Sequence, residues 1–377
     1  MKIPITKPSF NRDEEEKIVE ALRSGWVTQG PQVERFEEAV AKFVGARYAV
    51  ATTSCTTALH LALIAASVGP GDEVICPSFS FIATANVIRY CGAKPVFVDI
   101  EADTYNLDPN LMEKLITKRT KAVIAVHQVG LPADLDRILQ VASCHRLQVI
   151  EDAACAIGAE YKGIRIGKPH GFLACFSFHP RKIITAGEGG MITTNDSEVA
   201  LKLKKLRHHG MSITDLARHQ AKSVILEEYD ELGYNYRMTD LQAAVGIVQL
   251  GKLVGFLRQR AQLAERYNQA FSKIKYLKPP TVPSYAKHTY QSYILRLKSN
   301  APISRDDLME RLLERGIATR RGIMASHREP LYAKEYEKIK LPETDNAVKE
   351  SIILPLFPQM SLEEQDFVIS SIQDAAR

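Results

Sequence analysis

Between residues 48 and 195, short and almost unbroken apolar runs alternate with stretches of helical pattern, and this alternation restricts the fold more than any other feature. YAVAT is followed by TTALHLALIAAS, EVICP by FIATANVIRY, KPVFVDI by DPNLMEKLITK and KAVIAVH by DLDRILQVASCH; LQVIED, FLACFSF and GMITT complete the series. A strand wet on one face alternates polar and apolar residues, whereas a strand covered on both faces is apolar throughout. The pattern therefore predicts an α/β domain on a mostly parallel sheet with helices on both faces.

Two helices are predicted before the sheet, one over residues 14–24 with Gly25 as its stop, and one opened by Pro31 and closed by Gly45. A long helical stretch starts near Thr239 or Asp240 and continues to Phe271. The prolines of KPPTVPSYAKH, residues 278–288, suit neither a helix interior nor a central strand and mark a domain boundary. The expected division is a large α/β domain over residues 1–271, including the N-terminal segment, and a small C-terminal α+β domain over 272–377. The second contains the strand HTYQSYILRL, the capped helix SRDDLMERLLERG and a terminal helix near residues 362–376.

Composition closes off several classes. The chain has 377 residues, and its 49 basic and 44 acidic side chains are interspersed, leaving +5, which gives no reason to expect nucleic acid or a membrane surface as partner. Residues 48–71 carry no formal charge, but TTSCTT in the middle and Gly-Pro-Gly at the end argue against a membrane span. The start, MKIPITKPSFNRDEEEK, lacks the apolar core of a secretory leader. Six scattered cysteines without a CxxC pair support neither a local metal motif nor a disulfide scaffold, so no metal and a cytoplasmic location are expected.

In parallel sheets, ligands bind beyond the carboxyl ends of the strands, so the polar residues that follow each apolar run are the candidates. After YAVAT come Thr53, Ser54, Cys55, Thr56 and Thr57 at a helix start, where hydroxyls and free N–H groups suit a phosphate or simply cap the helix. After EVICP, PSFSF offers Phe81 as an aromatic plate or a core ring. After LQVI come Glu151 and Asp152, carboxylates that can cap the next element or pair with a cation. After FLACFSF comes SFHPRK, ending in Lys182, and then ITAGEGG. A phosphate cradle, an aromatic plate, a carboxylate and a lysine at one sheet edge are together the groups that pyridoxal 5′-phosphate requires.

With these blocks in view, the chain resembles the DegT/StrS-type nucleotide-sugar aminotransferases, fold-type I pyridoxal-phosphate enzymes related to aspartate aminotransferase. The resemblance is carried by SGWVTQGPQVERFE, TALHLAL, PSFSFIATAN, VHQVGLPADLD, EDAACAIGA, SFHPRKIITAGEGGMITTND, LGYNYRMTDLQAA and LPLFPQM, spread over nearly the whole chain. It implies that Lys182 forms the Schiff base and shuttles a proton, that Asp152 faces the pyridine nitrogen, and that Phe81 stacks on the ring. It also implies that Thr56 and Ser177 hold the phosphate, that Asn235 reaches it from the partner subunit of a homodimer, and that Arg237 lies near the substrate. Two cofactor positions depart from the usual pattern: Cys55 stands where relatives commonly have Gly, and Cys155 where many have Gln or His.

The implied reaction is ping-pong transfer of an amino group from an amino acid, L-glutamate, to a ketone on a nucleotide-linked sugar. A sugar dehydratase of the same fold would carry histidine in place of Lys182, and a non-catalytic regulatory member would not need the intact lysine and aspartate. The segment ATRRGIMASHREPLY places Arg320, Arg321, His327 and Arg328 close together, either as contacts to the sugar or its diphosphate or as a solvated charged loop.

Overall fold

The computed structural model describes residues 1–213, 218, 219, 221 and 223–375. Seven strands form the main sheet: β1 (Tyr48–Thr52), β2 (Glu73–Pro77), β3 (Lys94–Val98), β4 (Thr120–Val126), β5 (Gln148–Asp152), β8 (Leu173–Ser177) and β9 (Gly190–Thr194). A small hairpin of β6 (Glu160–Tyr161) and β7 (Ile164–Arg165) lies between β5 and β8 in the chain. The spatial order is β1-β9-β8-β5-β4-β2-β3. All contacts from β3 across to β8 are parallel, whereas β9 is antiparallel to both neighbours. The run GMITT is as apolar as the parallel strands because it too is covered on both sides; its direction is not encoded in its composition.

Alternate residues of each strand feed two cores, which is why the runs are apolar throughout. Val123 and Ala125 face Val33, Phe36 and Val40 of helix Pro31–Val44 and Leu250 and Leu253 of helix Asp240–Phe271. Ala122 and Ile124 face Leu59 and Leu61 of helix Cys55–Ala65, Val87 of helix Ala83–Tyr90 and Leu203 of helix Ser197–Leu206. The helical pattern after β3 is less extensive than predicted, consisting of one α-turn over Pro109–Met112 and a 3-10 turn over Glu113–Leu115.

The first helix begins at Arg12, two residues earlier than expected. Asn11 accepts a hydrogen bond from the Asp13 amide, and Glu14 reaches back to the Asn11 amide, so the reciprocal cap sets the start. Thr239 caps the long helix, but Asp240 serves a different one: its carboxylate accepts from the amides of Gly30, Gln32 and Val33 at 2.8–3.0 Å. The long helix is apolar and long enough to cross a membrane, yet half of its most apolar window is buried between the two cores of this protein.

A second, antiparallel sheet has the order Leu277–Lys278, Tyr293–Leu297, Ser351–Leu354, Arg320–Arg321. Its core includes the helices Arg305–Glu314 and Leu362–Ala375 and the far end of the long helix, through Leu263, Tyr267 and Phe271. Ala376, included in the expected terminal helix, lies outside the described residues. Ile3 is buried in this same core, held by the Ile3 amide on the Gly316 carbonyl, so the first residues pack with the C-terminal part rather than with the large sheet. The proline-rich segment folds back, and Ala286–Lys287 pairs with β6. Fully buried Arg260 ties the parts together by donating to the carbonyls of Tyr290, Gln291 and Leu356.

Candidate active site

A cavity of about 1130 Å³ opens at the carboxyl ends of the parallel strands. Its walls include Thr56, Phe81, Asp152, Cys155, Ser177 and Lys182 from the large sheet and Arg320 from the smaller one. Six residues expected from four strand ends thus converge on one space.

The wall beneath β1 is the start of helix Cys55–Ala65. Ser54 and Thr57 form a reciprocal cap, with the Thr57 amide donating to Ser54 Oγ and the Ser54 amide donating to Thr57 Oγ1. Half-buried Thr56 is left to line the cavity, as Ser177 does. Cys55 is accommodated because it turns inward: its Sγ approaches the Cys175 carbonyl at 3.6 Å and packs in the core. Gly190 meets this loop so closely that a Cβ there would lie 2.3 Å from the Ser54 carbonyl oxygen, which explains a glycine at the start of β9.

At the end of β5, successive side chains point to opposite faces of the sheet. Asp152 faces the cavity wall, where its Oδ2 accepts from Thr84 Oγ1 at 2.9 Å and its Oδ1 from the Ala154 amide at 3.2 Å. Burial pushes its carboxyl pKa up, and these two bonds, with Lys182 and His127 nearby, only partly offset that effect. Glu151, on the opposite face, is fully buried with His127 Nε2 at 3.1 Å and the His170 amide at 2.9 Å. Burial opposes its charge, but these partners win and hold its pKa below the ordinary carboxylate value. His127 Nδ1 accepts from the Ala133 amide, so Nε2 is the nitrogen that donates to Glu151.

Lys182 lies in the loop after β8, and its Nζ donates to Cys155 Sγ at 3.2 Å. Burial disfavours its charge, yet Cys155, Cys55 and Asp152 around it raise its pKa above the usual lysine value. Phe81 is 64 % exposed at the cavity wall, an apolar ring accessible to a flat ligand.

Not every expected residue belongs to this space. Arg320 lines the cavity, as do Arg181 and Arg321. His327 does not: it is buried, its Nδ1 bonded to Ser78 Oγ at 2.7 Å and its amide donating to the same oxygen, so the expectation of a substrate contact is corrected to a packing role. Its neighbours Arg328 and Asp345 form an ion pair at the surface. Arg237 donates to His208 Nδ1 at 2.8 Å and is absent from the cavity wall. Asn235 is exposed and lies outside its own chain's cavity.

Sequence reasoning missed Thr84, Gln128 and His127. Thr84 has the look of an ordinary first-turn helix residue, and only the fold brings it to Asp152. Gln128 bonds the Phe79 carbonyl and precedes Val129, whose φ of 49° is rare for a β-branched residue. Nothing in the sequence HQVG reports this turn, because the strain belongs to the backbone angle and not to the residue types.

An aminotransferase is the class that this fold and the convergence of Lys182 and Asp152 define. The chain belongs to the DegT/DnrJ/EryC1/StrS aminotransferase family, whose model matches residues 8–373. It is 40 % identical over 379 residues to the spore coat polysaccharide biosynthesis protein SpsC of Bacillus subtilis, covering 100 % of this chain and 97 % of that one. Among solved structures it is similar to S. venezuelae DesV in complex with a ketimine intermediate, with a TM-score of 0.91 and 32 % identity over 100 % of this chain and 99 % of that one. It is also similar to NtdA of Bacillus subtilis with bound cofactor PMP, at a TM-score of 0.85 and 32 % identity over 97 % and 83 % of the two chains.

Proposed function

We propose that this aminotransferase uses pyridoxal 5′-phosphate to move an amino group from L-glutamate to a keto group on a nucleotide-linked sugar. The observation that carries the reading is Asp152, a buried carboxylate on the cavity wall, placed with Lys182 and the exposed Phe81 ring around one space. The residues present fit the cofactor: Thr56 and Ser177 offer hydroxyls to a phosphate at a helix N-terminus, Phe81 a plate to its ring, and Asp152 a partner to a ring cation. The relatives support it, one being described with bound PMP, the pyridoxamine form, and another as a polysaccharide biosynthesis protein.

When bound, the cofactor supplies an electron sink for a carbanion next to nitrogen. The chain supplies the rest. Asp152, oriented by Thr84 and Ala154, would stabilise positive charge on the ring nitrogen. Lys182 is the cavity amine that would hold the cofactor and, as a free base, would move a proton at the donor carbon. Arg320 and Arg321 at the mouth are suited to an anionic substrate group.

The same reading includes a homodimer in which Asn235 acts on the neighbour's phosphate. It is supported by the exposure of Asn235 away from its own cavity and by the apolar surface of Val224, Leu226 and Leu232 in the same region. A cytoplasmic location is part of the proposal, supported by six free cysteines. Spectral titration tests the function: L-glutamate should convert the bound cofactor to its pyridoxamine form, and a keto sugar nucleotide should reverse the change. Failure of every amino donor to alter the spectrum would overturn it.

A further inference from the structure

Lys182 has a positional problem that its sequence context does not solve. In a transamination cycle it must leave the cofactor, act as a free amine and return to the same place, although its four-carbon stem is flexible. Asp152 is already committed to Thr84 and Ala154, and Lys182 makes no ion pair with a carboxylate among the described residues. Among the described residues, its one polar side-chain contact is Cys155 Sγ, at 3.2 Å.

We infer that Cys155 is a positioning residue for Lys182: its sulfur accepts a hydrogen bond from the lysine amine and holds it at the cavity wall whenever that amine is free. The inference rests on Lys182 being the cofactor lysine.

The backbone that carries Cys155 is held in place. Thr289 Oγ1 contacts both the Cys155 and Gly130 carbonyls, at 3.2 and 3.3 Å. Gly130, at φ +95°, admits this approach because a Cβ there would sit 2.0 Å from Thr289 Oγ1 and 2.8 Å from the Cys155 carbonyl oxygen. Cys155 itself is half-buried and lines the cavity, so reagents can reach it. The other titratable groups facing Lys182 are Cys55 at the helix start, Asp152 at the end of β5, His127 after β4, and His179, Arg181 and Glu188 in its own loop. Of these, Cys55 is turned to the Cys175 carbonyl, and among the described residues Cys155 is the one whose side chain accepts a hydrogen bond from Lys182 Nζ.

The test uses two readouts that do not depend on turnover. In cofactor-free enzyme, the pH dependence of the rate at which added pyridoxal 5′-phosphate becomes attached to Lys182 reports the amine's protonation. Cys155→Ala should move its midpoint to lower pH, because the group that favours the ammonium is gone, and Cys155→Ser should retain part of the effect. Reciprocally, Lys182→Met should slow alkylation of Cys155 by iodoacetamide at pH 7 by about tenfold, the factor that about 1.4 kcal/mol of charge-assisted contact is worth. Circular dichroism of each variant confirms folding, and Cys155→Ser, nearly the same size, keeps the test valid if alanine disturbs the turn. An unchanged Lys182 midpoint in both Cys155 variants, or an unchanged alkylation rate in Lys182→Met, overturns the inference. Attachment of the cofactor to a different lysine would instead overturn the functional reading on which it rests.

Discussion

Thr84 Oγ1 donates a 2.9 Å hydrogen bond to Asp152 Oδ2, joining the first turn of one helix to the end of a strand 68 residues away. With Ser80 Oγ at 2.9 Å from the same threonine oxygen, the bond extends into a short chain of hydroxyls behind the carboxylate. Thr84→Val keeps the shape and removes this donor. Asp152 should then protonate more readily, because a group that lowers its pKa is lost while burial still raises it. The acid limb of the pH–rate profile should move to higher pH, with a stability loss of about 1–2 kcal/mol in denaturant titrations. A profile that superimposes on wild type would remove Thr84 from the mechanism.

Glu151 carries a pH-dependent share of stability. Its carboxyl pKa is lowered in the fold, so the folded protein binds its proton less readily than the unfolded chain. That contribution is complete above the ordinary carboxylate pKa and is lost as pH falls through the lowered value. Unfolding midpoints of wild type and Glu151→Gln should differ most at neutral pH and converge in acid. A constant difference across that range would show that the effect is not one of charge.

These two carboxylates mark what could be read from the sequence and what could not. The apolar runs identified the doubly covered sheet, and its strand ends yielded Asp152 and Lys182, because a polar residue after such a run must emerge at the sheet edge. Thr84, His127 and Gln128 were not legible as site residues, since their roles depend on contacts between elements distant in the chain. Asp240 shows the same limit: it has the look of a cap for its own helix but holds the amides of another, more than two hundred residues earlier. Ile3 joins the C-terminal core through a partner at Gly316, and no local pattern reports such a contact.

His327 and Arg320 lie in one basic segment but should behave oppositely. His327 is buried against Ser78, so His327→Ala should lower stability by about 1–3 kcal/mol, with little change in the KM for the keto acceptor. Arg320 lines the cavity, so Arg320→Ala should raise that KM and leave the unfolding midpoint within about 0.5 kcal/mol of wild type. Steady-state kinetics beside denaturant curves distinguish the two, and the reverse pattern would contradict the placement of both residues.

The proposed action of Asn235 in trans predicts complementation. In a mixed dimer of Lys182→Ala and Asn235→Ala chains, one site carries both lesions and the other neither. Random subunit exchange in an equal mixture should restore about a quarter of wild-type activity, since half the dimers are mixed and each has one intact site. Confirmed exchange with no recovered activity would exclude a shared site.

The central claim is that Lys182 attaches the cofactor in the cavity that also contains Asp152. Borohydride reduction of the enzyme loaded with pyridoxal 5′-phosphate, followed by peptide mapping, tests it most directly. The account predicts a single stable label, on Lys182 in the peptide that follows SFHPR, and none in Lys182→Ala. A label on any other lysine, or equal labelling of the Lys182→Ala variant, would contradict it.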